Sequence, residues 1–143
     1  MAPLVSTIEI DRPPKEVFDF ATDPRHFPDW QRDIVRVAML DATEFTTTRV
    51  IGGSERTMTQ RITRDDPPHS WAAEGVDGPV RPNATVTVEP VDGGTRSRVT
   101  FTLDFAGHGI GVPIMPLVRR QARKVTPVSY RNLKKLLESR DTV

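Results

Sequence analysis

The sequence contains no cysteine. That one absence excludes a disulfide framework, a thiolate nucleophile and a thiolate metal site. An excess of charge of one sign is also lacking: 20 Lys and Arg stand against 19 Asp and Glu, a formal net charge of +1. Neither a strongly cationic nucleic-acid binder nor an acidic disordered chain has such a balance. No run of ~18 apolar residues occurs, so no segment is expected to span a bilayer. Ser6, Thr7 and Glu9 stand where a secretory leader would be apolar, and a cytoplasmic location is the expectation. Leucine is scarce, with 7 residues against 16 Val, 7 Ile and 16 Thr. Branched side chains suit a pleated surface and lose rotamer freedom in helices, so this mix argues for many strands. The 143 residues are expected to form one domain, residues 1–143.

Leu4, Ile8 and Ile10 alternate with Thr7, Glu9 and Asp11, which is strand periodicity. Arg12-Pro13-Pro14 ends that strand and starts a helix, because Pro is tolerated in a first turn. Val17, Phe20 and Ala21 carry the helix to about Thr22. Asp23-Pro24 is a second cap, leading through one more turn to Phe27 and Trp30. Six further strand-like runs follow: Ile34–Leu40, Phe45–Ile51, Glu55–Arg64, Ser70–Val76, Ala84–Glu89 and Arg96–Phe105. Gly52-Gly53, Asp65-Asp66-Pro67-Pro68, Asp77-Gly78-Pro79 and Asp92-Gly93-Gly94 separate most of them, as hairpin turns do.

From Pro113 the period changes. Ile114, Leu117, Val118, Ala122, Val125, Val128, Leu133 and Leu136 fall within an arc of about 160° at helical spacing. They predict a long amphipathic helix ending near Ser139, with a kink where Pro127 lacks its donor, close to Arg123 or Lys124. Tyr130 falls off this stripe and reads as a surface residue. The predicted class is α+β. A curved antiparallel sheet of six to seven strands wraps a long C-terminal helix, with two short helices after the first strand. A curved sheet need not meet the helix everywhere, so a cavity between them is the natural site.

The opening VSTIEIDRPPKEVFDFATDPRHFPDW resembles the start of the polyketide cyclase/dehydrase and lipid-transport-like family, within the START-related helix-grip superfamily. GGTRSRVTF and the helical YRNLKKLLES are similar to it as well. The resemblance covers about residues 4 to 139 and implies the helix-grip fold. It implies either carriage of an apolar ligand or an aromatase/cyclase activity, and it brings no shared catalytic motif onto numbered residues.

Strand phase supplies the candidate cavity wall. If Phe45 and Ile51 point inward, so do Thr47 and Arg49; with Met58 go Arg56, Gln60 and Arg64; with Trp71 goes His69. Trp30, Phe45, Met58, Trp71, Val86, Phe101, Leu103, Met115, Val118 and Ala122 are the expected apolar lining. Arg49, Arg56, Gln60, His69 and Gln121 are the expected polar contacts, with Ser129 and Asn132 also breaking the helix stripe. Arg49 and Arg56 have no in-phase acid on neighbouring strands. Unpaired guanidinium groups would favour an acidic head on an otherwise apolar ligand.

The leading function is binding of a hydrophobic small molecule, a lipid, isoprenoid or polyketide. The alternative is a polyketide cyclase acting in the same cavity, with Arg49 steadying an enolate and His69 as acid or base. Gly107-His-Gly-Ile-Gly111 sits between strand and helix, but Val112 occupies the third glycine position of a dinucleotide loop. It reads instead as a flexible hinge, and no cofactor is expected. His26, His69 and His108 lack metal-ligand spacing, so no metal is expected. The basic helix residues read as a solvated face; without interleaved aromatics they point away from nucleic acid. Transient contact with an anionic membrane is the other reading of that face. Either a monomer or a homodimer fits.

Overall fold

The computed structural model describes residues 3–140. Strand β1 (Leu4–Ile10) stops at the Arg12-Pro13-Pro14 segment, where two consecutive residues lack an N–H. Helix α1 (Pro14–Ala21) opens with Pro14 and buries Val17, Phe18 and Ala21. The Asp23 carboxylate accepts from the Arg25 backbone N–H at 3.1 Å, capping a single turn at Pro24–His26. That turn runs into the four-residue helix α2 (Phe27–Trp30), which turns Phe27 and Trp30 into the interior. Both short helices stand where the sequence places them.

Strands β2 (Ile34–Met39), β3 (Glu44–Ile51), β4 (Ser54–Asp66), β5 (Ser70–Asp77), β6 (Val80–Val91) and β7 (Arg96–Gly107) complete a seven-stranded sheet. Its order is β1-β7-β6-β5-β4-β3-β2, and every pairing is antiparallel. The β3–β4 turn needs left-handed backbone at two successive residues, with φ of 61° at Gly52 and 81° at Gly53. Glycine meets that requirement without strain. Seven strands bent around one helix make the predicted α+β helix-grip architecture.

Helix α3 (Met115–Ser139) begins two residues after Pro113 and runs unbroken through Pro127. Its buried face differs from the predicted one. Met115, Val118, Ala122, Ser129, Tyr130, Leu133 and Leu137 are buried, whereas Leu117 and Leu136 are 44% and 36% exposed. At 3.6 residues per turn this rotates the inward stripe by about 80°, toward Tyr130. Tyr130 is therefore an interior residue at 8% exposure, not a surface one. Of the adjacent Leu136 and Leu137 only one can face the sheet, and Leu137 takes that place. An aromatic ring buries more area than a leucine, so Tyr130 decides the rotation.

Both ends of α3 are tied down. At the C-terminal end the Arg12 guanidinium donates to the Glu138 and Arg140 carbonyls at 2.7 and 2.8 Å, and Lys134 Nζ reaches the Glu9 carbonyl at 2.6 Å. At the other end the Gln121 amide donates to the Val50 carbonyl and accepts from the Gly52 N–H at 3.1 Å. Gly107 and Gly111, the two ends of the expected hinge, are close-packed, whereas His108, Gly109 and Ile110 between them are exposed. A Cβ on Gly111 would stand 1.8 Å from the Pro79 carbonyl oxygen, and one on Gly107 would stand 2.7 Å from Met115 Cγ. These glycines allow close approach of chain to chain.

Candidate functional site

Two apolar clusters lie between sheet and helix. One holds Val17, Phe18, Phe27, Trp30, Phe45, Trp71, Phe101, Tyr130 and Leu133 among others, toward the C-terminal end of α3. The other holds Ile51, Met58, Val80, Leu103, Phe105, Met115, Val118 and Ala122. Where the two meet, a cavity of about 60 Å³ remains. That is more than the roughly 10–15 Å³ a cavity needs to hold one water.

The cavity is walled by aromatic rings. Phe101 and Tyr130 stack at 4.0 Å between centroids and 10° between planes, joining the sheet to α3. Trp30 leans on both, at 5.9 Å from Phe101 and 6.3 Å from Tyr130. Phe27 meets Trp30, Phe45 and Trp71 edge-on at 5.9, 5.9 and 6.0 Å.

Of the residues expected to contact ligand, Trp30, Trp71, Val86, Phe101, Leu103, Val118 and Ala122 line this cavity. So do the polar candidates Arg49, Gln60 and Gln121. Five others stand elsewhere. Phe45 is fully buried behind Trp71 and Phe27, and Met58 and Met115 fill the second cluster without facing the cavity. His69 is exposed in the turn before β5, its N–H donating to the Asp66 carbonyl at 2.7 Å. Alternation counted back from Trp71 overruns β5, which begins at Ser70. Arg56 lies across the ladder from Arg49, partly exposed and away from the cavity. Arg64 leaves the inward phase because the register shifts between Ile62 and Arg64, and it is exposed.

Arg49 is not unpaired. Its Nη1 donates to Asp33 Oδ1 at 2.9 Å and its Nη2 to Gln31 Oε1 at 2.8 Å. The two charged side chains are only 10% and 13% exposed. The strand-phase reading missed Asp33 and Gln31 because they lie in the link between α2 and β2, outside any alternating run. Their signal is composition: a Gln-Arg-Asp tripeptide directly after the buried Trp30. With its charge balanced, Arg49 no longer argues for an acidic ligand.

Several donors remain unused. Trp30 is 3% exposed, yet its indole Nε1 is buried without a hydrogen-bond partner among the described residues, and so is Arg49 Nε. The Thr47 hydroxyl donates to Gln60 Oε1 at 2.8 Å, which leaves the Gln60 amide N–H groups for the cavity. Burial pushes the Tyr130 hydroxyl up to about 12, with Arg49 pulling it down and Asp33 pushing it up. It is therefore a neutral O–H at ordinary pH. Ser129 Oγ, by contrast, is used: it accepts from the Arg32 N–H at 3.2 Å. An unmet buried donor costs about 1–3 kcal/mol, so an acceptor atom that reached one of these groups would be stabilised. Among the described residues no three His, Asp or Glu side chains gather as metal ligands, and no helix is long and apolar enough to cross a membrane.

A long helix gripped by a seven-stranded antiparallel sheet over an apolar cavity defines a helix-grip protein. The chain belongs to the family described as polyketide cyclase/dehydrase and lipid transport, whose profile matches residues 1–138. Zhui aromatase/cyclase from Streptomyces sp. R1128 shares the fold with a TM-score of 0.81 at 14% identity, covering 95% of this chain and 93% of that one. A START superfamily protein from Mycobacterium smegmatis gives 0.79 at 13% identity, covering 96% and 98%. The di-domain ARO/CYC BexL from the BE-7585A biosynthetic pathway gives 0.73 at 19% identity, covering 96% of this chain and 47% of its own. No curated protein sequence matches the chain significantly.

Proposed function

We propose that this protein binds a neutral, largely apolar small molecule bearing a carbonyl oxygen, held in the cavity between the sheet and α3. The observation that carries the reading is Trp30, which lines the cavity and whose buried indole N–H has no hydrogen-bond partner among the described residues. Gln60 and Tyr130 add donors beside it, and the Arg49–Asp33 pair leaves that edge without net charge. An apolar ligand with an acceptor oxygen satisfies these groups; a carboxylate would add a charge facing Asp33. The space is small, so a ligand of fused-ring size displaces lining side chains as it enters. The family's description, covering both cyclases and lipid transport, accommodates such a ligand.

The Tyr130 hydroxyl beside Arg49 favours a second reading, a cyclase in which Tyr130 donates to the enolate oxygen of a folded poly-ketone chain. A group held at about 12 is poorly matched to proton transfer near neutrality, and His69 stands outside the cavity, so binding comes first. Native mass spectrometry of the freshly purified protein tests the choice. The expected result is a non-covalent, uncharged, ketone-bearing adduct released intact by organic solvent. Saturable binding of fatty acids with none of aromatic ketones would overturn the proposal. Cyclisation of a poly-ketone thioester, lost in Tyr130→Phe, would establish the enzyme instead.

A further inference from the structure

The outer face of α3 carries a stripe that the cavity does not explain. Arg120, Lys124, Arg131 and Lys135 fall within an arc of about 60°, opposite the buried face, along roughly 22 Å of helix. All four are exposed, and none has an ion-pair partner among the described residues. Arg120 with Lys124, and Arg131 with Lys135, are like-charged pairs one turn apart, a spacing that weakens a helix. The helix's one acid, Glu138, is occupied by Lys134 at 2.8 Å and the Asp11 N–H at 2.8 Å. A chain of net charge +1 thus concentrates unpaired cations on one face.

Exposed aliphatic side chains border the N-terminal end of this stripe. Leu117 shares its arc and is 44% exposed, and Ile110 and Val112, just before the helix, are 83% and 57% exposed. An unpaired basic helix face with aliphatic side chains beside it matches an interfacial helix: cations against anionic headgroups, apolar residues at the acyl boundary. Nucleic acid would be served by aromatic stacking residues, and the stripe has none.

We propose that the outer face of α3 docks on an anionic phospholipid surface, with Ile110, Val112 and Leu117 contacting the acyl boundary. The surface lies on the opposite side of α3 from the ligand cavity and does not depend on what the cavity binds. Co-flotation with phosphatidylcholine vesicles, with and without phosphatidylglycerol, tests it. Binding is expected only with phosphatidylglycerol and should fall steeply with salt. Arg120→Glu/Lys124→Glu should lose about tenfold or more in partitioning. Ile110→Ser/Val112→Ser should weaken binding while leaving its salt dependence. Both variants alter exposed side chains, so unchanged circular dichroism and unchanged ketone-probe binding separate this test from the cavity proposal. Equal binding to both vesicle types, no binding at all, or tighter binding to duplex DNA than to the anionic vesicles would overturn it.

Discussion

Replacing Asp33 with Asn removes one charge from the cavity edge at nearly constant shape. The partner Arg49 Nη1 stands 2.9 Å away, and the two side chains are 10% and 13% exposed. Opposite charges about 4 Å apart at an effective dielectric of 20 attract by about 4 kcal/mol. Residual solvent access and the hydrogen bond that Asn can still accept reduce the expected loss to about 2 kcal/mol. For a chain of this length that lowers Tm by about 6–10 °C. The same change leaves Arg49 as a free cation in the cavity. Charge-assisted hydrogen bonds to an anion are worth about 1.5–3 kcal/mol, so a carboxylate ligand should gain at least about tenfold in affinity. The assay is paired calorimetric titration at pH 7 with 2-naphthoate and its neutral counterpart 2-acetylnaphthalene. Asp33→Asn should tighten the carboxylate and leave the ketone nearly unchanged. Unaltered stability together with parallel changes for both probes would refute the Arg49–Asp33 pair and the charge balance built on it.

Tyr130 is the only tyrosine, so phenolate absorbance reports it alone, with an expected midpoint of about 12 in the folded protein. The folded value lies above the ordinary 10. The corresponding stability is complete below pH 10 and is lost as pH rises toward 12, so wild type should weaken over that interval more than Tyr130→Phe. A titration midpoint near 10 in the folded protein would contradict the burial of the hydroxyl. Gly111→Ala places a Cβ 1.8 Å from the Pro79 carbonyl oxygen and should cost about 1–3 kcal/mol in denaturant unfolding. An unchanged midpoint would show that the segment can move aside.

Legibility in the sequence followed local periodicity. Alternating β-branched runs and glycine turns mark all seven strands, and the proline-capped starts mark both short helices, because these signals lie within a few residues of what they specify. On β3 the inward phase of Phe45, Thr47, Arg49 and Ile51 reads directly, since the strand has no bulge. Where a bulge or turn intervenes the same counting fails, as at Arg64 and His69. The rotation of α3 was illegible for a different reason. Eight apolar residues spread over 160° tolerate more than one inward direction, and a stack with Phe101, distant in sequence, selects the one that buries Tyr130. Asp33 was illegible because a loop residue has no phase; only the folded chain brings it to Arg49. These three-dimensional pairings remove the unpaired Arg49 on which the expected acidic ligand rested.

On the proposed function, the space beneath α3 receives an apolar carbonyl compound. Ala122 lines it at 7% exposure, and a leucine there would fill much of a cavity of about 60 Å³ without touching Trp30, Arg49 or Asp33 in sequence. Both tryptophans, Trp30 and Trp71, also line it, so their fluorescence reports occupancy. Titration of wild type with 2-acetylnaphthalene should quench that fluorescence saturably with one site per chain, and Ala122→Leu should bind at least about tenfold more weakly at unchanged fold. Equal quenching curves for the two proteins, or no saturation in wild type, would contradict it.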